Sequence, residues 1–87
     1  MEEYKIKNWR DFWNIFNKLI CLLRDNNQLD VVLDFRDAQK YVNGFTDGWY
    51  EFMIAFEKAI ETHKENLTIE ELNIAVFLKN YLSAQLS

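Results

Sequence analysis

The stretch that decides the fold is "NWRDFWNIFNKLICLLR", residues 8–24. Its apolar residues recur at intervals of three and four, the period of an α-helix that buries one face. They are Trp9, Phe12, Trp13, Phe16, Leu19, Ile20 and Leu23. Asn8 suits the N-cap position, and Asp11 places a carboxylate near the positive end of the helix. The pattern predicts an amphipathic helix over residues 9–24 that ends at the polar residues 25–27, whose side chains compete for backbone hydrogen bonds.

Outward from this stretch, the same spacing returns in residues 49–63. The repeated stripe consists of Trp49, Phe52, Met53, Phe56, Ala59, Ile60 and His63. It predicts a further amphipathic helix whose stripe has the shape of the first. The sequences of the two segments show no convincing internal repeat.

The segment between them, residues 28–43, is the least regular of the predicted helices. Its stripe is Val31, Phe35, Ala38 and Val42, widened by Leu29, Val32 and Tyr41. Taken alone, "LDVVLDF" also fits a strand, because β-branched valines suit a pleated surface. The following "RDAQKY" restores the helical spacing, so we predict a helix.

The last predicted helix opens within "LTIEELNIA", residues 67–75. Thr68 and Glu71 form a capping box, and Leu67 and Leu72 form the hydrophobic staple that accompanies it. The helix continues to the C-terminus. Four amphipathic helices with short connections predict an all-α protein, a single small antiparallel four-helix bundle over residues 1–87.

Both glycines of the chain lie in "YVNGFTDGWYEF", residues 41–52, and there is no proline. A phosphate loop would need a strand and a P-loop or dinucleotide pattern, and a calcium loop would need more oxygen ligands at fixed offsets. We predict a helix corner instead. Gly44 would take the left-handed conformation after the second helix, Thr46 or Asp47 would cap the third, and Gly48 would allow a neighbour to approach closely.

The single cysteine and single histidine limit the chemistry. They exclude an intrachain disulfide framework and a Cys/His zinc cage. Cys21 stands in an apolar run, so we expect a buried small hydrophobe rather than a reactive thiol. His63 ends a helical stripe, where a structural histidine is more common than a catalytic base. We therefore predict no catalytic site, no metal site and no cofactor.

The start of the chain, "MEEYKIKNW", lacks the apolar core of a signal peptide. No apolar run approaches the ~18 residues of a membrane span. We expect a cytoplasmic protein that is not inserted in a membrane.

The net charge of −4 is unevenly distributed. Residues 1–24 have a net charge of +2, residues 25–57 a net charge of −5, and residues 58–87 a net charge of −1. Because nucleic-acid backbones require Lys and Arg for neutralisation, the acidic middle argues against a nucleic-acid ligand. It is compatible with a basic protein partner.

Two surface features point to such a partner. Asp30, Asp34 and Asp37 follow an i, i+4, i+7 spacing, which costs a few tenths of a kcal/mol per pair through repulsion; an ordinary solvated face is the alternative. Tyr50 and Ile54 lie on the outward stripe of the third helix, where either another helix or a partner would cover them. The predicted partner-binding residues are Asp30, Asp34, Asp37, Asp47, Tyr50, Glu51 and Ile54.

In size, acidity and helical content, the chain resembles the small acidic helical immunity proteins that bacteria make against their neighbours' toxins. Neither the barstar pattern nor the DNase-colicin immunity pattern is present. The resemblance implies a stoichiometric inhibitor of a basic toxin domain, often a nuclease, and a monomer or weak homo-oligomer. Two alternatives remain: a phage-encoded acidic inhibitor of a host nucleic-acid enzyme, and a structural homo-oligomerisation domain that buries Tyr50 and Ile54 against its own copy.

Overall fold

The computed structural model describes residues 5–42 and 46–86. They form four helices: α1 (Trp9–Asp25), α2 (Leu29–Gln39), α3 (Thr46–His63) and α4 (Ile69–Leu86). No strand occurs within these two ranges, so the strand alternative for "LDVVLDF" is wrong. The prediction of an all-α helical bundle is confirmed.

An asparagine closes each end of α1, through its side chain at the start of the helix and through its backbone at the end. The Asn8 side chain accepts a hydrogen bond from the Asp11 N–H at 3.0 Å, as predicted. At the other end, Asn27 has a φ of 59°, the left-handed region that asparagine tolerates better than most residues. Its N–H donates to the Arg24 carbonyl at 3.0 Å, and the Gln28 N–H donates to the Leu23 carbonyl at 2.8 Å. This pair is a Schellman motif, so the α1–α2 turn closes without glycine.

The second helix is shorter than predicted. It ends at Gln39, after which the Tyr41 and Val42 N–H groups donate to the Ala38 and Gln39 carbonyls, both at 3.1 Å. Each of these bonds runs from an N–H to the carbonyl three residues earlier, the 3₁₀ pattern, which tightens the last turn before the corner. The predicted role of Gly44 lies outside the described residues, whereas Gly48 is buried in the first turn of α3.

The capping box of α4 is confirmed. The Thr68 N–H donates to Glu71 Oε1 at 2.8 Å, and the Glu71 N–H donates to Thr68 Oγ1 at 3.1 Å. Leu67 and Leu72, the predicted staple, are both half-buried against the core. Local sequence chemistry therefore starts this helix at its predicted position.

Neighbouring helices along the chain pack together, and α4 also packs on α1, which closes the bundle. The two matching stripes meet across its diagonal. Ring centroids of Trp9 and Trp49 lie 4.0 Å apart, those of Phe12 and Phe52 6.1 Å apart, and those of Phe16 and Phe56 5.9 Å apart. The pairs ascend both helices in the same direction, so α1 and α3 run parallel. Their large rings fill the space between diagonal helices.

The prediction that Cys21 is buried is wrong, because its side chain is exposed on α1. The buried arc of this helix is already occupied by residues at the helical period, among them Leu19, Ile20 and Leu23. Cys21 adjoins them in sequence but stands outside that period. Helical geometry therefore directs it away from the core.

Candidate protein-binding surface

Most of the large exposed apolar side chains belong to two neighbouring helices of the bundle. Five of the six that the described residues contain belong to α2, α3 or the residue Tyr41 between them. These five are Leu29, Leu33, Tyr41, Tyr50 and Ile54. The sixth, Ile69, begins α4. We use the term α2–α3 face for the exposed side chains of α2, Tyr41 and α3.

A groove of about 270 Å³ runs between the two helices of this face. Its lining consists of Asp34, Asp37, Ala38 and Tyr41 on one side and Ala55, Lys58, Ala59 and Thr62 on the other. Ala38 and Ala59 are buried and provide an apolar floor. Because the residues at the contact between the two helices are alanines, their short side chains leave open space between the longer side chains on either side. Sequence reasoning treated Ala38 and Ala59 only as core residues and did not identify the groove.

Asp34 joins the middle of α2 to the end of α3. Its Oδ2 atom lies 2.6 Å from His63 Nε2, a distance at which the ring N–H donates to the carboxylate. The His63 side chain is only 14% exposed and that of Asp34 is 48% exposed. His63 therefore has a specific carboxylate partner on the neighbouring helix, which sequence separation concealed.

The other two aspartates of the predicted row differ from Asp34. Asp37 Oδ1 lies 3.1 Å from Lys40 Nζ in an exposed i, i+3 pair, which contributes little to stability. Asp30 is exposed and forms no ion pair within residues 5–42 and 46–86. The row is thus not three equivalent free carboxylates, since two of its members have a nearby cationic or imidazole partner.

The predicted partner-binding residues on α3 also differ from one another in their exposure and contacts. Ile54 is 62% exposed, so no helix of the bundle covers it. Tyr50 is 40% exposed, and its hydroxyl donates to the Leu86 carbonyl at the end of α4. Tyr50 therefore lies toward α4 and away from the groove. Asp47 and Glu51 are exposed, and neither forms an ion pair with another described residue.

Three apolar residues of the α2–α3 face were missed as surface residues. Leu29 and Tyr41 were assigned to the buried stripe, yet they are 57% and 48% exposed. Leu33 is 62% exposed. The available signal was its position two residues from both Val31 and Phe35, which places it off the buried arc of a helix. The short α2 buries a narrower stripe than its composition suggests.

A cluster of polar residues around the buried Glu71 closes the end of the bundle where the α1–α2 and α3–α4 connections meet. Glu71 is fully buried and accepts hydrogen bonds from Asn26 Nδ2 at 2.7 Å and from Gln28 Nε2 at 3.4 Å. The Gln28 amide also donates to the Asn66 carbonyl at 2.5 Å. Within the described residues, no buried side-chain nitrogen or oxygen lacks a partner. The cluster is a structural connection between two loops.

A second open groove, of about 490 Å³, lies between α1 and α4. Its rim is polar, with Lys18, Cys21, Asp25 and Glu70 among the lining residues, and Leu22 contributes apolar surface. No group of three or more His, Cys, Asp or Glu residues in the described part of the chain is placed to hold a metal ion. None of the four helices is both long and apolar enough to cross a bilayer.

The chain matches no protein-family model, no curated protein sequence and no solved structure. The α2–α3 face combines exposed apolar groups, exposed carboxylates and a groove, a composition suited to protein recognition.

Proposed function

We propose that this chain is a stoichiometric inhibitor that binds a basic protein through its α2–α3 face, and that its partner is a nuclease-type toxin domain. One observation carries the proposal: five of the six exposed large apolar side chains of the described residues lie on or between the two helices that also hold seven of the chain's fourteen acidic residues. Apolar groups rimmed by charge are typical of protein-binding surfaces.

The charge of the segment supports a basic partner. Residues 25–57 have a net charge of −5, and the exposed Asp30, Asp47 and Glu51 are unpaired within the described part of the chain. Such groups attract a cationic surface over a distance of about one Debye length, ~8–10 Å at physiological ionic strength. They would accelerate association more than they would strengthen the final complex.

The apolar side chains supply the short-range part of the interaction. Leu33 and Ile54 stand on neighbouring helices and are each 62% exposed. Burying them against a partner removes apolar surface from water, which slows dissociation. The face thus combines the two properties that a fast and tight inhibitor requires.

The same apolar side chains favour a second candidate, a homo-oligomerisation domain. Against it, a symmetric dimer through this face would bring two segments of −5 charge together. We expect a monomer in sedimentation velocity at high protein concentration and moderate salt. A stable dimer that Ile54→Ala dissociates would replace the inhibitor proposal.

The test of the inhibitor proposal uses the product of the neighbouring reading frame, because an immunity gene usually lies beside its toxin gene. Co-expression with this chain should relieve the toxicity of that product, and the two purified proteins should form a complex of equal stoichiometry. Ile54→Glu should weaken the complex, whereas Asn14→Glu on the α1–α4 side provides a matched control. Undiminished toxicity together with no complex would contradict the proposal. Inhibition of a purified host enzyme of nucleic-acid metabolism, with no effect on the neighbouring product, would favour the phage-inhibitor alternative.

A further inference from the structure

We propose that the groove of the α2–α3 face is the site that receives an arginine side chain from the protein partner. The inference rests on the proposed function for its biological meaning and names the chemistry by which the face would recognise its partner. It follows from the size, floor and charged borders of the groove.

The size of the groove suits a side chain. Its volume of about 270 Å³ is at or below the lower end of the ~300–1,000 Å³ typical of small-molecule sites. Ala38 and Ala59 form an apolar floor over which the methylene groups of a long side chain can lie. Long cationic side chains bury their stems on apolar surface in this way and leave the charged end at a polar border.

Each of the two carboxylates at that border makes a contact through only one of its oxygens. Asp34 contacts His63 through Oδ2, and Asp37 contacts Lys40 through Oδ1. The second oxygen of each makes no hydrogen bond within the described residues. A guanidinium group has five N–H donors in a planar fork and can contact two carboxylates at once, whereas an ammonium acts as a single point charge. The arrangement therefore favours arginine over lysine.

Tyr41 gives a further reason to expect arginine. This residue lines the groove and is 48% exposed, so part of its ring is open to solvent. Guanidinium groups stack on aromatic rings more readily than ammonium groups. A guanidinium placed between the aspartates would have this ring as a neighbouring surface.

Three cationic or imidazole groups surround the site, and each affects it differently. His63 holds Asp34 in place from α3. Lys40 makes an exposed pair with Asp37 that solvent already weakens. Lys58 lines the opposite side of the groove and would repel an incoming cation. Removing the Lys58 charge should therefore strengthen cation binding, an effect opposite to that of removing either aspartate.

The experiment is an NMR titration of the full chain with N-butylguanidinium, a mimic of the arginine side chain, with sodium chloride at equal ionic strength as the reference. We expect saturable shifts confined to the amides of the groove residues. Pentylammonium, the lysine mimic, should bind about two- to fivefold more weakly, which is the range of one exposed charged contact. Shifts that do not saturate, or that spread over all carboxylates of the surface, would overturn the inference.

Variants locate the binding. Asp34→Asn with Asp37→Asn should reduce N-butylguanidinium affinity by about fivefold or more, whereas the matched pair Asp25→Asn with Asp30→Asn should leave it within about twofold. Lys58→Ala should increase it. Because Asp34→Asn also alters the His63 contact, Asp37→Asn alone tests the site with that contact kept. Equal affinity in wild type and Asp37→Asn, or a decrease in Lys58→Ala, would overturn the inference.

Failure of the arginine-site inference is distinguishable from failure of the proposed function. A partner complex that is lost in Ile54→Glu but unchanged in Asp34→Asn with Asp37→Asn would refute the arginine site and keep the inhibitor. Saturable guanidinium binding without any partner complex would refute the inhibitor and keep the site.

Discussion

At the residue scale, Glu71 has two structural roles. Its backbone and one carboxylate oxygen complete the capping box of α4, and the carboxylate also accepts hydrogen bonds from Asn26 and Gln28 on the α1–α2 connection. A buried carboxylate is tolerated because each of its oxygens has donors. Substitution of this residue therefore affects two loops that are more than 40 positions apart in sequence.

Glu71→Ala should lower the free energy of unfolding by about 1–3 kcal/mol, because it leaves partly buried donors without their acceptor and removes half of a cap. The matched control is Glu70→Ala, an exposed residue of the same first turn. It should cost at most about 0.3–1 kcal/mol through the helix dipole. Urea unfolding followed by circular dichroism measures both, and equal losses would contradict the role assigned to Glu71.

Cys21 provides a second test at this scale. Its exposure predicts that a thiol reagent modifies the folded protein at a rate close to that of the urea-unfolded chain. Cys21→Ser should change stability by no more than about 0.5 kcal/mol, since it removes no core contact. Strong protection of the thiol in the folded protein would support burial after all.

At the element scale, α1 and α3 are the two helices whose rings form the centre of the bundle. Phe12, Phe16, Phe52 and Phe56 are fully buried, and contacts among them cross the diagonal between α1 and α3. The short α2 adds Phe35, whose ring centroid is 4.8 Å from that of Phe56. Phe56 thus joins three helices.

Phe56→Ala should lower the free energy of unfolding by about 3–5 kcal/mol, because it removes apolar burial and leaves a cavity at this junction. Ile54→Ala on the same helix is the control and should cost no more than about 0.5 kcal/mol, since Ile54 is exposed. Chemical denaturation with both variants checks the difference. A similar loss for the two would contradict the assignment of the core and surface sides of α3.

At the scale of the whole molecule, the bundle separates a polar α1–α4 side from the α2–α3 face. Charge and apolar groups on that face act over different distances: carboxylates attract during approach, whereas apolar groups act only at contact. This separation predicts that substitutions on the face change different rate constants.

With a partner in hand, Asp30→Asn, Asp34→Asn and Asp37→Asn together should slow association and flatten its dependence on salt. Ile54→Ala should instead raise the dissociation rate with little change in salt dependence. Tyr50→Ala should raise it also, but Tyr50→Phe is required beside it, because the hydroxyl donates to the Leu86 carbonyl within the bundle. Surface plasmon resonance at two salt concentrations measures both rates. If the triple variant associates at the wild-type rate, the three aspartates form an ordinary solvated surface and no part of the binding site.

The sequence by itself determined the four helices and the starts of α1 and α4. The period of the stripe around Phe12 and Phe16, the Asn8 cap and the Thr68–Glu71 box all act between residues a few positions apart. Such short-range chemistry is the same in any tertiary setting. The end of α1 was also predicted, although the left-handed conformation of Asn27 that closes it was not.

Only the tertiary structure decided which side of each helix meets which neighbour. Leu29 and Tyr41 belong to the predicted stripe of the second helix but are exposed, because the angle at which a helix packs selects its buried arc. The contact of Asp34 with His63 joins residues 29 positions apart, and the groove above Ala38 and Ala59 exists only where α2 and α3 pack side by side. These features depend on packing between distant segments, so no local pattern in the chain predicts them.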